Sequence, residues 1–310
     1  MNPARAIRAR ALRATGLMHP DVLILDVTHR CTSRCAGCAF REAEPGELPV
    51  SRWLALAEEA RGLGFRELLL TGGEPLAHPE LDRLLPGFAA ALPVVLMTNG
   101  LALRKHADLV RAHTREVYVS WDAVDDDTYA RLRGVRGFTA VRDGVRALEG
   151  HRSHARVTVW AENVDQLDAI RDGARAAGFG AMSLLAADTS SGGFGERNDD
   201  RGTPARPDQL PALADFLARA AADPFVQMSA FARDRVLRLS RGDATAPPCL
   251  APWTSGVVDP TGHWRHCFFL PSSADTAGGL RAAMRGARPE RRALHVESEP
   301  TCARCVCWRA

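Results

Sequence analysis

Between residues 21 and 187 the chain repeats one pattern: a short apolar run, a turn, then an amphipathic stretch. The apolar runs are Val22 to Val27, Glu67 to Leu70, Val94 to Met97, Val117 to Ser120, Arg156 to Trp160 and Ala181 to Leu185. Between them lie stretches with apolar residues three to four apart, such as Arg52 to Leu63 and Asp165 to Ala177, which predict helices. Strands that alternate with helices need crossover connections, and these build a parallel sheet covered by helices. Six such units predict an α/β fold, a partial (β/α)6 TIM-like barrel rather than a closed barrel of eight units. In folds of this kind chemistry gathers at the C-terminal ends of the strands.

The rest of the chain divides around this core. Residues 1–20 form an N-terminal extension, 21–190 the barrel, 191–245 a rim loop with linking helices, and 246–310 a small C-terminal domain. The segment Asp188 to Pro204 is rich in Gly, Ser, Asp and Arg and reads as a rim loop. Helical patterns follow at Pro207 to Ala222 and at Phe225 to Ser240. From Pro247 onward Pro, Gly, Trp and Cys dominate and periodicity is weak, so that segment needs a staple such as a metal cluster. No apolar run reaches 18 residues, which excludes a spanning helix and argues against a membrane partner. The basic N-terminus has no apolar core and does not read as a secretory signal, so a cytoplasmic location is expected. The net charge of +3 is spread along the chain and gives no support for nucleic acid as a partner.

Eight cysteines carry most of the functional information, and they fall at the two ends of the chain. In a reducing compartment such clusters read as metal ligands or redox groups rather than disulfides. Cys31, Cys35 and Cys38 lie just past the first apolar run in DVTHRCTSRCAGCAF. Three thiolates on one loop suit a soft metal centre and leave one position open for a ligand. A structural zinc site completed by His29 is the plain alternative. The segment TGGEP, Thr71 to Pro75, ends the second run. There Gly72 and Gly73 would let backbone approach a ligand closely, and Glu74 could receive an ammonium group.

Taken with this Cys-x3-Cys-x2-Cys triad, the GGEP strand end resembles the radical S-adenosylmethionine (SAM) superfamily. The resemblance covers roughly residues 21–190 and extends through Thr98-Asn99-Gly100 and Ser120-Trp121-Asp122. It implies a [4Fe-4S] cluster on Cys31, Cys35 and Cys38, with SAM bound at the unique iron. By the same resemblance Gly72, Gly73 and Glu74 would hold the methionine end of SAM, and Asn99, Ser120, Thr158 and Asn163 its carboxylate or ribose. One departure is Gly37, where the family commonly has an aromatic residue.

The late cysteines, Cys249, Cys267, Cys302, Cys305 and Cys307, resemble the twitch form of the SPASM extension of this superfamily, which carries a second [4Fe-4S] cluster; a zinc ribbon is the alternative. Three ligands for the first cluster and four for the second leave one cysteine over. Family spacing would make Cys249 a ligand and Cys307 the spare. The compact hook Cys302, Cys305 and Cys307 with Cys267 would instead free Cys249. A spare thiol is an ordinary buried small side chain or a hydrogen-atom donor, because an S–H bond is weaker than a C–H bond.

That choice decides the reaction class. A substrate radical that gives an electron to the second cluster yields a ketone or crosslink, whereas one that takes a hydrogen atom from a thiol on the opposite face yields an epimer. With Cys249 as donor, the chain resembles radical SAM epimerases that act on aminoglycoside antibiotics of the neomycin type. A twitch-type dehydrogenase of an amino sugar or cyclitol, or a peptide-modifying maturase, is the other reading. An external one-electron reductant of flavodoxin or ferredoxin type is implied in either case. An aminoglycoside carries ammonium groups, so acids near the strand ends are candidate contacts: Asp122, with Asp125, Asp126 and Asp127 behind it, and Asp188, Glu196, Asp199 and Asp200 in the rim loop.

Overall fold

The computed structural model describes residues 10–35, 38, 46–187, 205–243, 245–246, 249–303 and 305. Its first half alternates as the apolar runs predict. The elements are β1 (Val22–Asp26), α1 (Val50–Leu63), β2 (Glu67–Thr71), α2 (Leu81–Ala91), β3 (Val94–Thr98), α3 (Ala107–His113) and β4 (Glu116–Ser120). Two helices, α4 (Asp126–Arg133) and α5 (Phe138–Arg146), precede β5 (Ser153–Val159), and α6 (Leu167–Ala177) precedes β6 (Ala181–Ala186). These six strands lie side by side in sequence order, every neighbouring pair parallel. All six C-terminal ends therefore open on one rim.

Helix α1 forms because Trp53, Leu56, Ala57 and Ala60 recur on one face and bury there. It stops at Gly64, whose left-handed backbone (φ 89°) lets its amide return to the Arg61 carbonyl. Strand residues alternate between two environments. Leu23, Leu25, Leu68, Leu70 and Leu96 pack beneath the helices in the main core. Ile24, Leu69, Met97, Tyr118, Arg156 and Ser183 line an inner cavity of about 590 Å³. Strand β5 begins at Ser153 rather than at the expected Arg156, because the polar residues Ser153, His154 and Arg156 interrupt the apolar signal that marks a strand.

Beyond β6, a 3-10 turn at Pro207–Gln209 leads into α7 (Leu210–Ala220). The helix expected from Phe225 starts later, as α8 (Ala230–Ser240), because Ser229 caps it by accepting the Ala232 amide at 3.1 Å. The residues before that cap run along the free edge of β6. Met182 donates its amide to the Phe225 carbonyl at 2.8 Å and accepts from the Gln227 amide at 2.8 Å. The pairing covers an edge that would otherwise be open.

The C-terminal segment is built onto the same sheet. After the turn α9 (Ala251–Thr254), β7 (Ser255–Val258) pairs in parallel with β1. Strands β8 (His263–Arg265) and β9 (Ser272–Asp275) then add antiparallel, completing a nine-stranded sheet. Gly256 lies directly beneath the Trp264 ring, where a Cβ would stand 1.8 Å from ring carbon. Three helices follow: α10 (Leu280–Gly286), α11 (Arg288–Ala293) and α12 (Pro300–Ala303).

Candidate active site

The Cys31 loop leaves β1 and lies against the end of β2. Gly73 donates its amide to the Thr28 carbonyl and Glu74 to the Arg30 carbonyl, each at 2.8 Å. A Cβ on Gly73 would stand 2.4 Å from the Arg30 carbonyl oxygen and 2.6 Å from that of His29. Gly72 has φ 128° and approaches the Thr28 carbonyl in the same way. The two glycines thus admit the cysteine loop itself, a closer neighbour than the ligand expected from sequence.

Glu74 is buried and ties three segments together. Its Oε1 accepts the Leu76 amide at 3.0 Å and the Thr98 hydroxyl at 2.7 Å, and its Oε2 accepts the Asn99 amide at 2.7 Å. Burial raises its pKa, and the Asn99, Thr98 and Leu76 donors oppose that rise. Among the described residues Oε2 accepts from the Asn99 amide alone, which leaves acceptor capacity for an ammonium group. Asn99 Nδ2 donates to Thr32 Oγ1 at 3.0 Å and Ser33 Oγ at 3.1 Å, and lies 3.9 Å from Cys31 Sγ. Cys31 Sγ accepts the Ser33 amide at 3.4 Å. Burial pushes the Cys31 thiol up to about 11, with Cys35, Glu74 and Cys38 close enough to add to the effect.

Beside the loop, Arg133 places Nη1 3.7 Å from Cys35 Sγ and forms an ion pair with the buried Asp122. Asp122 also accepts the Thr158 amide at 2.7 Å, so its carboxylate is committed inside the protein and does not await a substrate ammonium. Asn163 is fully buried and donates to the carbonyls of Asp122 and Thr158, both at 2.9 Å. It braces the β4 and β5 ends and does not face the rim. Ser120 and Thr158 are half-buried and share the inward register of Tyr118 and Arg156. Among the other acids, Asp125 caps α4, Asp126 accepts the amides of Gly137 and Phe138, and Asp127 pairs with Arg136. Asp188, Glu196, Asp199, Asp200 and Cys307 lie outside the described residues.

The late cysteines approach one another. Cys249 and Cys302 pack with Trp253 and Val296, while Cys305 packs with Phe269, Phe268 and Cys267. Burial pushes the Cys302 thiol up to about 12, with Cys267 and then Cys249 close enough to contribute. Cys267 also lines the inner cavity, together with Phe268, Phe269 and Ala251. Among the described residues, no three His, Cys, Asp or Glu side chains close on a single ion position.

Residues 25–171 match the model of the radical SAM superfamily. The chain carries a radical SAM domain. Two curated relatives are similar to it: PqqA peptide cyclase of Streptomyces rochei and GTP 3',8-cyclase of Rhodococcus opacus. The first is 32% identical over 192 residues, covering 58% of this chain and 51% of that protein. The second is 35% identical over 136 residues, covering 40% and 38%. The chain thus spans only about half, or less, of these relatives' lengths. Among solved structures, Streptococcus suis SuiB bound to its precursor peptide SuiA covers 98% of this chain and 75% of its own, with TM-score 0.70 and 13% identity. The structure of anSMEcpe with bound AdoMet covers 87% and 82%, with TM-score 0.65 and 14% identity. At these identities the likeness is one of fold.

Proteins with a radical SAM domain use a [4Fe-4S] cluster and SAM, and the residues present fit both. The domain offers three thiols on one loop, N–H donors beside two of them, and a carboxylate oxygen with spare capacity at the adjoining strand end. Two neighbours of the site carried no motif in the sequence. Arg133 is marked only by its place in a helix. Asp26 ends strand β1, at the kind of position where such folds keep their chemistry. It is buried, its Oδ1 has no hydrogen-bond partner among the described residues, and burial lifts its pKa to about 7 against the opposing charge of Arg265. Among the described residues, no helix is long and apolar enough to cross a membrane.

Proposed function

We propose that the protein is a radical SAM epimerase that inverts a carbon centre of an aminoglycoside of the neomycin type, with Cys249 as the hydrogen-atom donor. Cys31, Cys35 and Cys38 would hold one [4Fe-4S] cluster; Cys267, Cys302, Cys305 and Cys307 would hold the second. When bound, the first cluster and SAM supply a 5'-deoxyadenosyl radical that removes a hydrogen atom from substrate carbon. Glu74 would orient the SAM ammonium group, and the half-buried Ser120 and Thr158, in one register with Tyr118 and Arg156, would contact the rest of SAM. The Cys249 S–H then gives its hydrogen atom to the opposite face of the carbon, and the sulfur is restored by one proton and one electron from an external reductant.

The observation that carries this reading is the place of Cys249. It is a buried thiol at the entrance to α9, and two residues later the chain reaches Ala251 on the cavity wall. The ligand count leaves one thiol of the eight unassigned. Aromatic and apolar lining from Tyr118, Phe268 and Phe269 suits sugar faces, whereas Glu67 and Glu116, which begin β2 and β4, are engaged by Arg115 and by His154 and Arg152. The rim-loop acids Asp188, Glu196 and Asp199 remain candidate contacts.

A second reading rests on one specific observation, the packing of Cys249 against Cys302. If Cys249, Cys267, Cys302 and Cys305 ligate the second cluster, Cys307 is spare and the substrate radical would be oxidised, as in a peptide-modifying enzyme. Similarity to PqqA peptide cyclases supports that alternative.

The Cys249→Ala variant separates the two. Anaerobically reconstituted variant that keeps about eight irons, releases 5'-deoxyadenosine and yields no epimer supports the donor role, as does solvent deuterium at the inverted carbon. Loss of about four irons from the variant would place Cys249 among the ligands and favour the second reading.

A further inference from the structure

Helices α10 and α11 run almost continuously, and Arg281, Arg285, Arg288 and Arg292 are exposed along them. Their spacing of four, three and four residues puts all four on one face. Arg285, Arg288 and Arg292 line a groove of about 550 Å³ with Pro289 and Ala293. Within residues 280–293 the single acid is Glu290. Among the described residues none of the four arginines forms an ion pair, although helix-surface arginines elsewhere do so with acids of their own helix: Arg61 with Glu58 and Arg111 with Asp108. Like charges three and four apart destabilise a helix, a cost that a negatively charged partner would offset.

The face is also placed over a group that matters. On its inner side Arg291 is buried; its Nε donates to the Gly16 carbonyl at 2.9 Å and its Nη1 lies 3.4 Å from His266 Nδ1. His266 precedes Cys267, which lines the inner cavity. Arg288 Nε donates to the Thr15 carbonyl at 3.1 Å, so the stripe is fixed to the body of the protein.

We propose that this arginine face docks an acidic one-electron carrier protein, delivering electrons on the side of the late cysteines. The stripe spans about 16 Å along the helices, too long for one phosphate and suited to a small protein patch. A charged contact of that size favours fast, salt-sensitive encounter over tight binding, as electron carriers require. The inference rests on the reading that the late cysteines hold a reducible cluster.

The test uses the full, anaerobically reconstituted chain and an oxidised flavodoxin as the probe, with binding followed by calorimetry at low and high salt. Three proteins are compared: wild type, Arg285→Glu/Arg288→Glu, and Arg111→Glu/Arg146→Glu as a control on α3 and α5, helices on the β3–β5 side of the sheet. The expected result is an affinity that falls with salt, drops about tenfold or more in the first double variant and is unchanged in the control, with dithionite-driven release of 5'-deoxyadenosine equal in all three. Equal affinity in both double variants would overturn the proposal. So would a loss of duplex DNA binding with carrier binding intact, which would make the face a nucleic-acid surface. Failure of dithionite to release 5'-deoxyadenosine from the wild type would instead overturn the cofactor reading, because docking is measured without turnover.

Discussion

The Glu74 carboxylate accepts the Asn99 backbone amide at 2.7 Å, fastening the end of β2 to the end of β3 beside the cysteine loop. A glutamine at position 74 would turn an NH2 group toward at least one of the donors that now meet a carboxylate oxygen. Glu74→Gln is expected to lower stability by about 1–3 kcal/mol and to weaken SAM binding by about tenfold or more. Thermal unfolding and calorimetric titration with SAM measure the two effects; unchanged SAM affinity would remove Glu74 from the binding role.

Gly73 allows the β2 end to lie against the carbonyls of His29 and Arg30. Because that contact is with backbone, an added methyl group cannot be accommodated by a side-chain movement. Gly73→Ala should therefore displace the cysteine loop and, on the two-cluster proposal, reduce reconstituted iron by about half, from eight to four. Iron and sulfide analysis checks this, and full incorporation in the variant would contradict it.

The Asp122–Arg133 pair is buried beside Cys35. Removing one partner strands the other charge, so Asp122→Ala should cost about 3–5 kcal/mol in stability. Chemical denaturation of the apo protein gives the number. A variant as stable as the wild type would mean that the Asp122 site is solvated.

Asp26 makes stability depend on pH in a defined direction. Its folded-state pKa, about 7, lies above the ordinary value of 3.8. As pH rises through the unfolded value the unfolded chain releases this proton first, so the group progressively lowers stability up to about pH 7 and adds no further loss beyond it. Asp26→Asn removes that loss. The variant should match the wild type near pH 4 and exceed it near pH 8 by on the order of 1–3 kcal/mol. Denaturation curves at the two pH values decide the matter, and a constant difference between them would reject the assignment.

Much of the barrel could be read directly, because its six strands are short apolar runs and its helices carry apolar residues at helical spacing. Less visible were elements whose logic is tertiary. The start of β5 is masked by polar residues, and the edge pairing of residues 225–227 has no local signal. Strand β7 hides in a Pro- and Cys-rich stretch because its stability comes from β1 and from Trp264 over Gly256. At the site, the cysteine loop and GGEP segment were legible as chemistry, while the roles of Asp122 and Asn163 were not. Their residue types suited ligand contacts, yet Arg133 and two carbonyls claim them, and sequence does not say which neighbour arrives first.

The parallel pairing of β7 with β1 has a consequence for electron movement. One strand launches the Cys31 loop and its lateral neighbour leads, by way of β8, to Cys267. If the Cys31 loop and Cys267 each hold a cluster, as proposed, the two would sit on adjoining rails of one lattice, their separation set by strand register and not by a swinging tether.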